Sequence, residues 1–156
     1  MGTIMEKRIL GKTNFEVSAI GFGGIPIQRV DEEIAYELVV EAYNQGINFI
    51  DTARGYMESE NLLGYALERF GRDKFILATK SMARTYDAVL EELNTSLKNL
   101  RTDYIDLFQF HNVRTKEDLD TMLAAQSNYQ RYLQLIFLSG FMSHGLVDST
   151  MVCQEL

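Results

Sequence analysis

Four polar side chains lie at or just beyond the ends of short, largely apolar runs, and their types suit proton transfer. Asp51 follows the run 48–50, Tyr56 comes five residues later, Lys80 follows the run 75–79, and His111 follows the run 105–110. If the runs are parallel strands, the side chains meet at one face, because parallel strands all end on the same face. The pattern predicts a single pocket mouth that holds a carboxylate, a phenol, an amine and an imidazole.

The chemistry that this set predicts is proton donation to a carbonyl oxygen. Buried against each other, Asp51 and Lys80 would form an ion pair, and the retained positive charge would favour the tyrosinate form of Tyr56. Such a phenol is an effective proton donor. Each residue alone is more often structural, since an Asp at a strand end usually caps or anchors a loop and a loop Tyr usually packs. The occurrence of all four residues at the ends of successive predicted strands, or just beyond them, favours the catalytic interpretation.

Strands and amphipathic helices alternate along the chain and would position this set. A hairpin at 8–17 is predicted to lead into a strand at 18–22, and a later strand is predicted at 104–110. The 3.6-residue period of apolar positions indicates helices between the strands, with a last one at 115–125. The predicted helix starts are Asp31, Ser59 and Thr85, the predicted stops are Gly46 and Gly71, and the apolar stripe of the first helix is Ile34, Ala35, Leu38, Val39 and Ala42. This order predicts an α/β fold with a parallel sheet.

The composition excludes several classes of function. A net charge of −7 and a pI near 4.8 argue against nucleic acid or an anionic membrane surface as a partner, and favour small-molecule ligands. The single cysteine, Cys153, excludes an internal disulfide framework, and His111 and His144 are too far apart in sequence to suggest a metal site. The charged start at 1–8 lacks an apolar signal segment, and the apolar stretch at 135–138 is too short to span a bilayer. A reducing cytoplasm is expected.

The glycine-rich segment at 21–26 follows a predicted strand, so it could be either a dinucleotide-binding Rossmann motif or a simple bend. Pro26 occupies the third glycine position, and the next helix begins only near Asp31. No helix N-terminus would therefore face a pyrophosphate. A bend that lets the chain or a ligand approach closely is the preferred interpretation. A Ser hydrolase is not indicated, because the Gly-x-Ser-x-Gly motif is absent.

Two segments resemble the signatures of the aldo-keto reductase family. Residues 46–56, which run from Gly-Ile-Asn-Phe-Ile-Asp to Gly-Tyr, resemble the first signature, and residues 93–111 resemble the second. The resemblance implies a (β/α)8 TIM barrel with an N-terminal β-hairpin at its bottom and NADPH bound across its top. It also implies a catalytic tetrad and a set of residues near the nicotinamide. The implied tetrad is Asp51, Tyr56, Lys80 and His111, and the implied cofactor-binding residues are Gly23, Gly24, Asp51 and Asn112.

The function implied by the resemblance is NADPH-dependent reduction of an aldehyde or ketone to an alcohol, with Tyr56 as the proton donor. Met57 departs from the family pattern, which usually has glycine at that position. The alternative hypothesis is a catalytically inactive, truncated fragment or a non-enzymatic binding module derived from the family. No cluster of cysteines supports an iron-sulfur domain.

The resemblance covers residues 5–125, which correspond to the first four to five units of the barrel. Residues 1–125 are therefore predicted to be the N-terminal half of the barrel. Only three of the residues 126–156 are charged, and this atypical tail, with a weakly predicted strand at 133–138, suggests a truncation or a frameshift. Because the later loops supply most cofactor contacts in the family, the isolated chain is expected to bind NADPH no tighter than about 1 mM. Unpaired sheet edges are expected to cause self-association.

Overall fold

The computed structural model describes residues 5–124 of the chain. It begins with an antiparallel hairpin formed by β1 (Lys7–Ile9) and β2 (Glu16–Ser18). Gly11 and Asn14 adopt left-handed backbone angles in the connection, with φ values of 51° and 61°. Glycine and asparagine are the residues that tolerate this conformation most readily. The predicted hairpin is confirmed.

The strand predicted at 18–22 is wrong, because Ser18 ends β2 and the next strand, β3, is only Phe22–Gly23. The Ser18 hydroxyl donates to the carbonyl of Ile20 at 2.7 Å, and the Ser18 N–H donates to Asn48 Oδ1 at 2.7 Å. A serine hydroxyl that bonds backbone two residues away favours a bend over an extended strand. The chain therefore turns here before it enters the parallel sheet.

The parallel sheet has four strands in the order β3-β4-β5-β6 among the described residues. The remaining strands are β4 (Phe49–Asp51), β5 (Ile76–Ser81) and β6 (Leu107–Phe110). The helices are α1 (Glu32–Asn44), α2 (Ser59–Phe70), α3 (Tyr86–Asn99) and α4 (Lys116–Ala124), with short 3-10 turns at Pro26–Arg29 and Arg72–Lys74. The predicted alternation of strands and helices is confirmed. The predicted strand at 133–138 lies outside the described residues.

The helix termini follow the sequence signals in four cases, Asp31, Gly46, Gly71 and Thr85, and depart from them in one, Ser59. The Asp31 carboxylate accepts the Ile34 N–H at 2.9 Å and caps α1, and Gly71 ends α2 with a φ of 125°. The prediction that Ser59 caps α2 is wrong. Ser59 is the first residue within α2, and its hydroxyl donates to the Gly24 carbonyl at 2.7 Å. The hydroxyl is used between elements and is not available to the helix.

The core lies between the helices and one face of the sheet. Ile50 and Leu77, which are paired across β4 and β5, pack there and are fully buried. Ala35 and Val39 of α1 are also fully buried, as predicted. The predicted stripe is too wide, because two of its members remain about two-fifths exposed: Ile34 at 43% and Leu38 at 41%. Among the described residues, no helix is both long and apolar enough to cross a membrane.

Candidate active site

An ion pair joins the ends of two neighbouring strands. Lys80 Nζ lies 2.6 Å from Asp51 Oδ1 and 2.8 Å from the Thr52 carbonyl oxygen. Strand register explains the meeting: Asp51 is paired with Ala78, so Lys80 projects from the same face two residues further along. The Lys80 side chain is 15% exposed and that of Asp51 is 39% exposed. The ammonium group is thus held largely away from solvent, while the carboxylate faces the open side.

Tyr56 lies in the loop between β4 and α2 and joins this pair. Its ring centroid is 5.5 Å from Lys80 Nζ, and it meets the His111 imidazole edge to face at a centroid distance of 5.4 Å. Its backbone is held within a turn, since its N–H donates to the Ala53 carbonyl at 3.0 Å and its carbonyl accepts from Ser59 at 2.8 Å. The structure therefore brings together all four residues singled out in the sequence. Their catalytic roles remain predictions.

Met57 has a left-handed backbone conformation, with a φ of 45°. This region is easily reached by glycine and is strained for a residue with a Cβ atom. The conformation supplies a physical reason for a preference for glycine at this position. The loop beside Tyr56 keeps this shape even though methionine is present.

His111 follows β6 immediately and is fixed to the neighbouring strand by its backbone. The His111 N–H donates to the Ser81 carbonyl oxygen at 2.8 Å. The Nδ1 atom is buried and has no hydrogen-bond partner among the described residues. Burial of the ring lowers the pKa of His111 below its ordinary value of 6.5, and the Lys80 charge lowers the pKa further. The imidazole is therefore neutral at neutral pH.

This lowered pKa predicts a pH dependence of folding. Because the folded-state pKa of His111 lies below 6.5, the unfolded chain binds a proton more readily than the folded chain does. The His111 contribution to stability is present above pH 6.5 and is lost as pH falls toward the folded-state pKa. We expect the free energy of unfolding in urea to decrease over this range, and His111→Gln to make the decrease shallower. If the free energy of unfolding of His111→Gln fell with pH as steeply as that of the parent chain, the lowered pKa of His111 would not be the cause of the decrease.

The predicted cofactor-binding residues border the same face but differ in their surroundings. A Cβ atom on Gly23 would have open space around it, with no atom within 4 Å, whereas a Cβ on Gly24 would lie 2.8 Å from Ser59 Oγ and 2.9 Å from Thr52 Oγ1. Gly24 is therefore required by internal packing. Asn112 is exposed and left-handed, with a φ of 56°. Gly23 is the position that leaves room for a ligand.

Sequence reasoning missed a buried carboxylate behind the site. The side chain of Glu60 in α2 is 1% exposed. It accepts hydrogen bonds from Thr79 Oγ1 at 2.8 Å and from Asn99 Nδ2 at 3.2 Å, and it lies 3.5 Å from the Arg54 guanidinium. Arg54 precedes Tyr56 by two residues, and Thr79 precedes Lys80. A Glu in the first turn of a helix is typical of a solvated face, so the sequence contained no local signal for this burial.

No group of three or more His, Cys, Asp or Glu residues that would suit a metal ion occurs in the described part of the chain. The arrangement of Asp51, Tyr56, Lys80 and His111 is suited to proton transfer. A phenol beside an ammonium group, with an imidazole as a second hydrogen-bonding group, provides a donor and a polarising contact for a carbonyl oxygen.

Comparisons with known proteins agree on one family for this chain. The model of the aldo/keto reductase family matches residues 19–149. The chain is 38% identical over 125 residues to the aldo-keto reductase YhdN of Bacillus subtilis, covering 69% of this chain and 38% of YhdN. It is 31% identical over 136 residues to the NADH-specific methylglyoxal reductase of Escherichia coli, covering 69% of this chain and 42% of that enzyme. The chain belongs to the aldo/keto reductase family.

A solved structure supports the same assignment for the fold. The holo form of the aldo-keto reductase AKR11C1 from Bacillus halodurans superposes with a TM-score of 0.70 at 32% identity, over 81% of this chain and 47% of that one. The expectation of a partial (β/α)8 barrel is confirmed. The chain spans well under half the length of the curated relatives YhdN and methylglyoxal reductase. The family match continues past residue 125 to residue 149, and the division of the chain at 125 stays a prediction.

Proposed function

We propose that the face carrying Asp51, Tyr56, Lys80 and His111 is the active site of an NADPH-dependent reductase that converts an aldehyde or a ketone to an alcohol. The observation that carries this proposal is the Lys80 ammonium group, which lies 5.5 Å from the Tyr56 ring centroid and 2.6 Å from Asp51 Oδ1. The positive charge stabilises the phenolate that Tyr56 becomes after it donates its proton. Family membership supports the reaction class.

Each residue of the site has a distinct part in the proposed reaction. Tyr56 donates a proton to the substrate oxygen, and Lys80 stabilises the charge that remains on the phenol oxygen. Asp51 holds the Lys80 ammonium group in place through their direct contact. Neutral His111 donates a hydrogen bond that orients and polarises the carbonyl group. The nicotinamide cofactor, when bound, supplies the hydride.

The open space beside Gly23 fits a cofactor that approaches the backbone closely at this edge of the sheet. Asp51 and Asn112, which border the same face, are proposed to contact the cofactor near the nicotinamide, and Gly24 to shape the backbone there. We propose NADPH as this cofactor. The specificity of the Escherichia coli relative for NADH makes NADH the necessary comparison in every assay. The single cysteine is consistent with the cytoplasm, which remains the proposed location.

The test of the proposal requires a complete barrel, because the chain spans 38% of YhdN. We define the YhdN chimera as residues 1–124 of this chain followed by the remaining units of the YhdN barrel. Calorimetric titration with NADPH and with NADH, and aldehyde-dependent oxidation of each, would be measured for the chimera and for the isolated chain. Micromolar NADPH binding with turnover in the chimera is expected, and a folded chimera that lacks both would contradict the proposal.

The competing proposal is that the isolated chain is an inactive fragment, and the same titration separates the two. The isolated chain would lack the cofactor contacts that loops later in the barrel supply in the family. The cofactor would then not be held beside the substrate, and proximity between the two could not accelerate the reaction. We expect binding no tighter than about 1 mM, or roughly −4.1 kcal/mol, and no turnover above buffer. Micromolar binding with turnover by the isolated chain would remove the fragment proposal.

The two adjacent glycines provide a matched pair of variants for the cofactor site. Gly23→Ala places a methyl group in open space, so the free energy of unfolding should be unchanged while NADPH affinity of the YhdN chimera falls about tenfold, or roughly 1.4 kcal/mol. Gly24→Ala instead forces the buried Ser59 and Thr52 apart and should cost about 1–3 kcal/mol of stability. Urea unfolding measures the stability of each variant, and calorimetric titration measures its affinity for NADPH. Unchanged affinity in Gly23→Ala would place the cofactor elsewhere.

Self-association of the isolated chain is proposed from the exposed parts of the sheet. β3 and β6 are the edge strands of the described sheet. The face that carries Asp51 also carries Phe49, Ile76 and Leu107, which are only half-buried. Unpaired edges and apolar surface favour association. We expect a dimer, a larger assembly or a partly molten state in sedimentation at micromolar concentration, and a compact monomer that unfolds cooperatively would contradict this expectation.

A further inference from the structure

Arg84 lies in the connection between β5 and α3, and it donates a hydrogen bond to the backbone of His111, the residue after β6. Its guanidinium group donates to the carbonyl oxygens of Met82 at 2.9 Å, Ala83 at 3.2 Å and His111 at 2.7 Å. The side chain is only 18% exposed. An arginine fork presents several donors in a fixed plane, so one side chain can hold several acceptors in one arrangement. Arg84 thereby joins its own connection to the residue that follows β6.

Both backbone hydrogen-bonding groups of His111 are bonded to residues 81–84, which comprise the last residue of β5 and the start of the connection after it. Its N–H donates to the Ser81 carbonyl, and its carbonyl accepts from Arg84. The next residue, Asn112, has a left-handed φ of 56°. Asparagine tolerates this conformation but does not impose it. The bond from Arg84 to the carbonyl of His111 therefore fixes the peptide unit between an extended strand and a left-handed residue.

The guanidinium group also reaches the start of α4. Its Nε lies 3.9 Å from Asp118 Oδ1. The other carboxylate oxygen of Asp118 accepts the N–H groups of Arg114 and Thr115 at 3.3 Å each, which lowers the pKa of Asp118 and keeps it charged. Asp118 and Thr115 also form a reciprocal cap, because the Asp118 N–H donates to Thr115 Oγ1 at 3.0 Å. Arg84 thus contacts both this cap and the backbone of His111.

We propose that Arg84 is a positioning residue that holds the His111 imidazole against the Tyr56 ring. The part of this inference that concerns substrate rests on the proposed function, since His111 contacts the carbonyl only in that account. The placement of the ring itself does not depend on turnover. His111 is otherwise surrounded by Tyr56, the Lys80 and Asp51 pair, and the charge of Arg114. Arg84 differs from these groups because its side chain donates a hydrogen bond to the backbone carbonyl of His111.

The test is an NMR comparison in the full chain, which contains only two histidines. The imidazole signals of His111 are assigned by their loss in His111→Gln. The contact between Tyr56 and His111 is followed as a nuclear Overhauser effect between their ring protons, and the ring pKa of His111 by titration. Arg84→Gln removes both the charge and the fork. Arg114→Gln is the control, because Arg114 is a nearby cation whose contact is with the Asn112 side chain.

The expected result is that Arg84→Gln loses the contact between Tyr56 and His111, whereas Arg114→Gln retains it. The pKa of His111 should rise in both variants, because each removes a positive charge that lowers it. Arg84→Lys keeps the charge but not the fork, and it should also lose the contact; this variant decides the question if Arg84→Gln does not fold. Retention of the contact in a folded Arg84→Gln or Arg84→Lys, or its absence in the parent chain, would overturn the proposal. The ring contact and the pKa of His111 are measured without turnover, so they test the role of Arg84 even if the chimera shows no reductase activity.

Discussion

Tyr56→Phe in the YhdN chimera is expected to lower the rate of carbonyl reduction by about 10²–10⁴-fold, the range that a positioned proton donor contributes. The phenylalanine ring preserves the edge contact with His111, which is a contact between rings. Only the donor is removed. NADPH affinity should therefore stay nearly unchanged, since the phenol acts on the reacting carbonyl.

The measurement is steady-state oxidation of NADPH with an aldehyde, together with calorimetric titration of the cofactor. Tyr43→Phe is the matched control, because Tyr43 packs edge-on against Phe70 and Phe75, in a different part of the fold from the proposed site. It should reduce the aldehyde at the parent rate. Reduction by Tyr56→Phe at the parent rate would remove the proposed proton donor.

Asp106→Ala is expected to destabilise the fold by about 3–5 kcal/mol, the usual cost of removing one partner of a buried ion pair. Asp106 Oδ2 lies 2.6 Å from the Arg72 guanidinium, and the two side chains are 16% and 11% exposed. The same oxygen accepts the Leu77 N–H at 2.8 Å, near the start of β5. The substitution leaves a largely buried positive charge and a backbone donor without this acceptor.

Urea unfolding by linear extrapolation measures this loss. The matched control is Asp120→Ala, which removes the carboxylate of the surface pair between Lys116 and Asp120, whose side chains are 85% and 55% exposed. Exposed pairs contribute at most about 1 kcal/mol. Equal losses in Asp106→Ala and Asp120→Ala would show that the pair between Arg72 and Asp106 is not a main support of the sheet.

The sequence is informative wherever one residue reports directly on local structure. The cap at Asp31 and the stop at Gly71 are predicted correctly, because each depends on neighbours in the chain. The meeting of Asp51 with Lys80 is also predictable, since parallel strands deliver their ends to one face. The order of residue types along the chain is thus enough to select four residues of the candidate site.

The sequence is misleading where a side chain is used between elements. Ser59 has the residue type of a helix cap, yet its hydroxyl bonds Gly24, thirty-five residues away. Glu60 and Arg84 look like solvated charges, and only the fold reveals that one is buried behind the loop of Tyr56 and that the other bonds His111. Such long-range contacts depend on the packing of helices on the sheet, which local residue patterns do not encode.

Deuteride transfer tests the proposed active site most directly. NADPH carrying deuterium at both C4 positions of the nicotinamide is incubated with the YhdN chimera and an aldehyde, and the alcohol is analysed by mass spectrometry. We predict one deuterium on the former carbonyl carbon and a loss of nearly all labelled product in Tyr56→Phe. Unlabelled alcohol, or labelled alcohol formed by Tyr56→Phe at the parent rate, would contradict the assignment of this face as a reductase site.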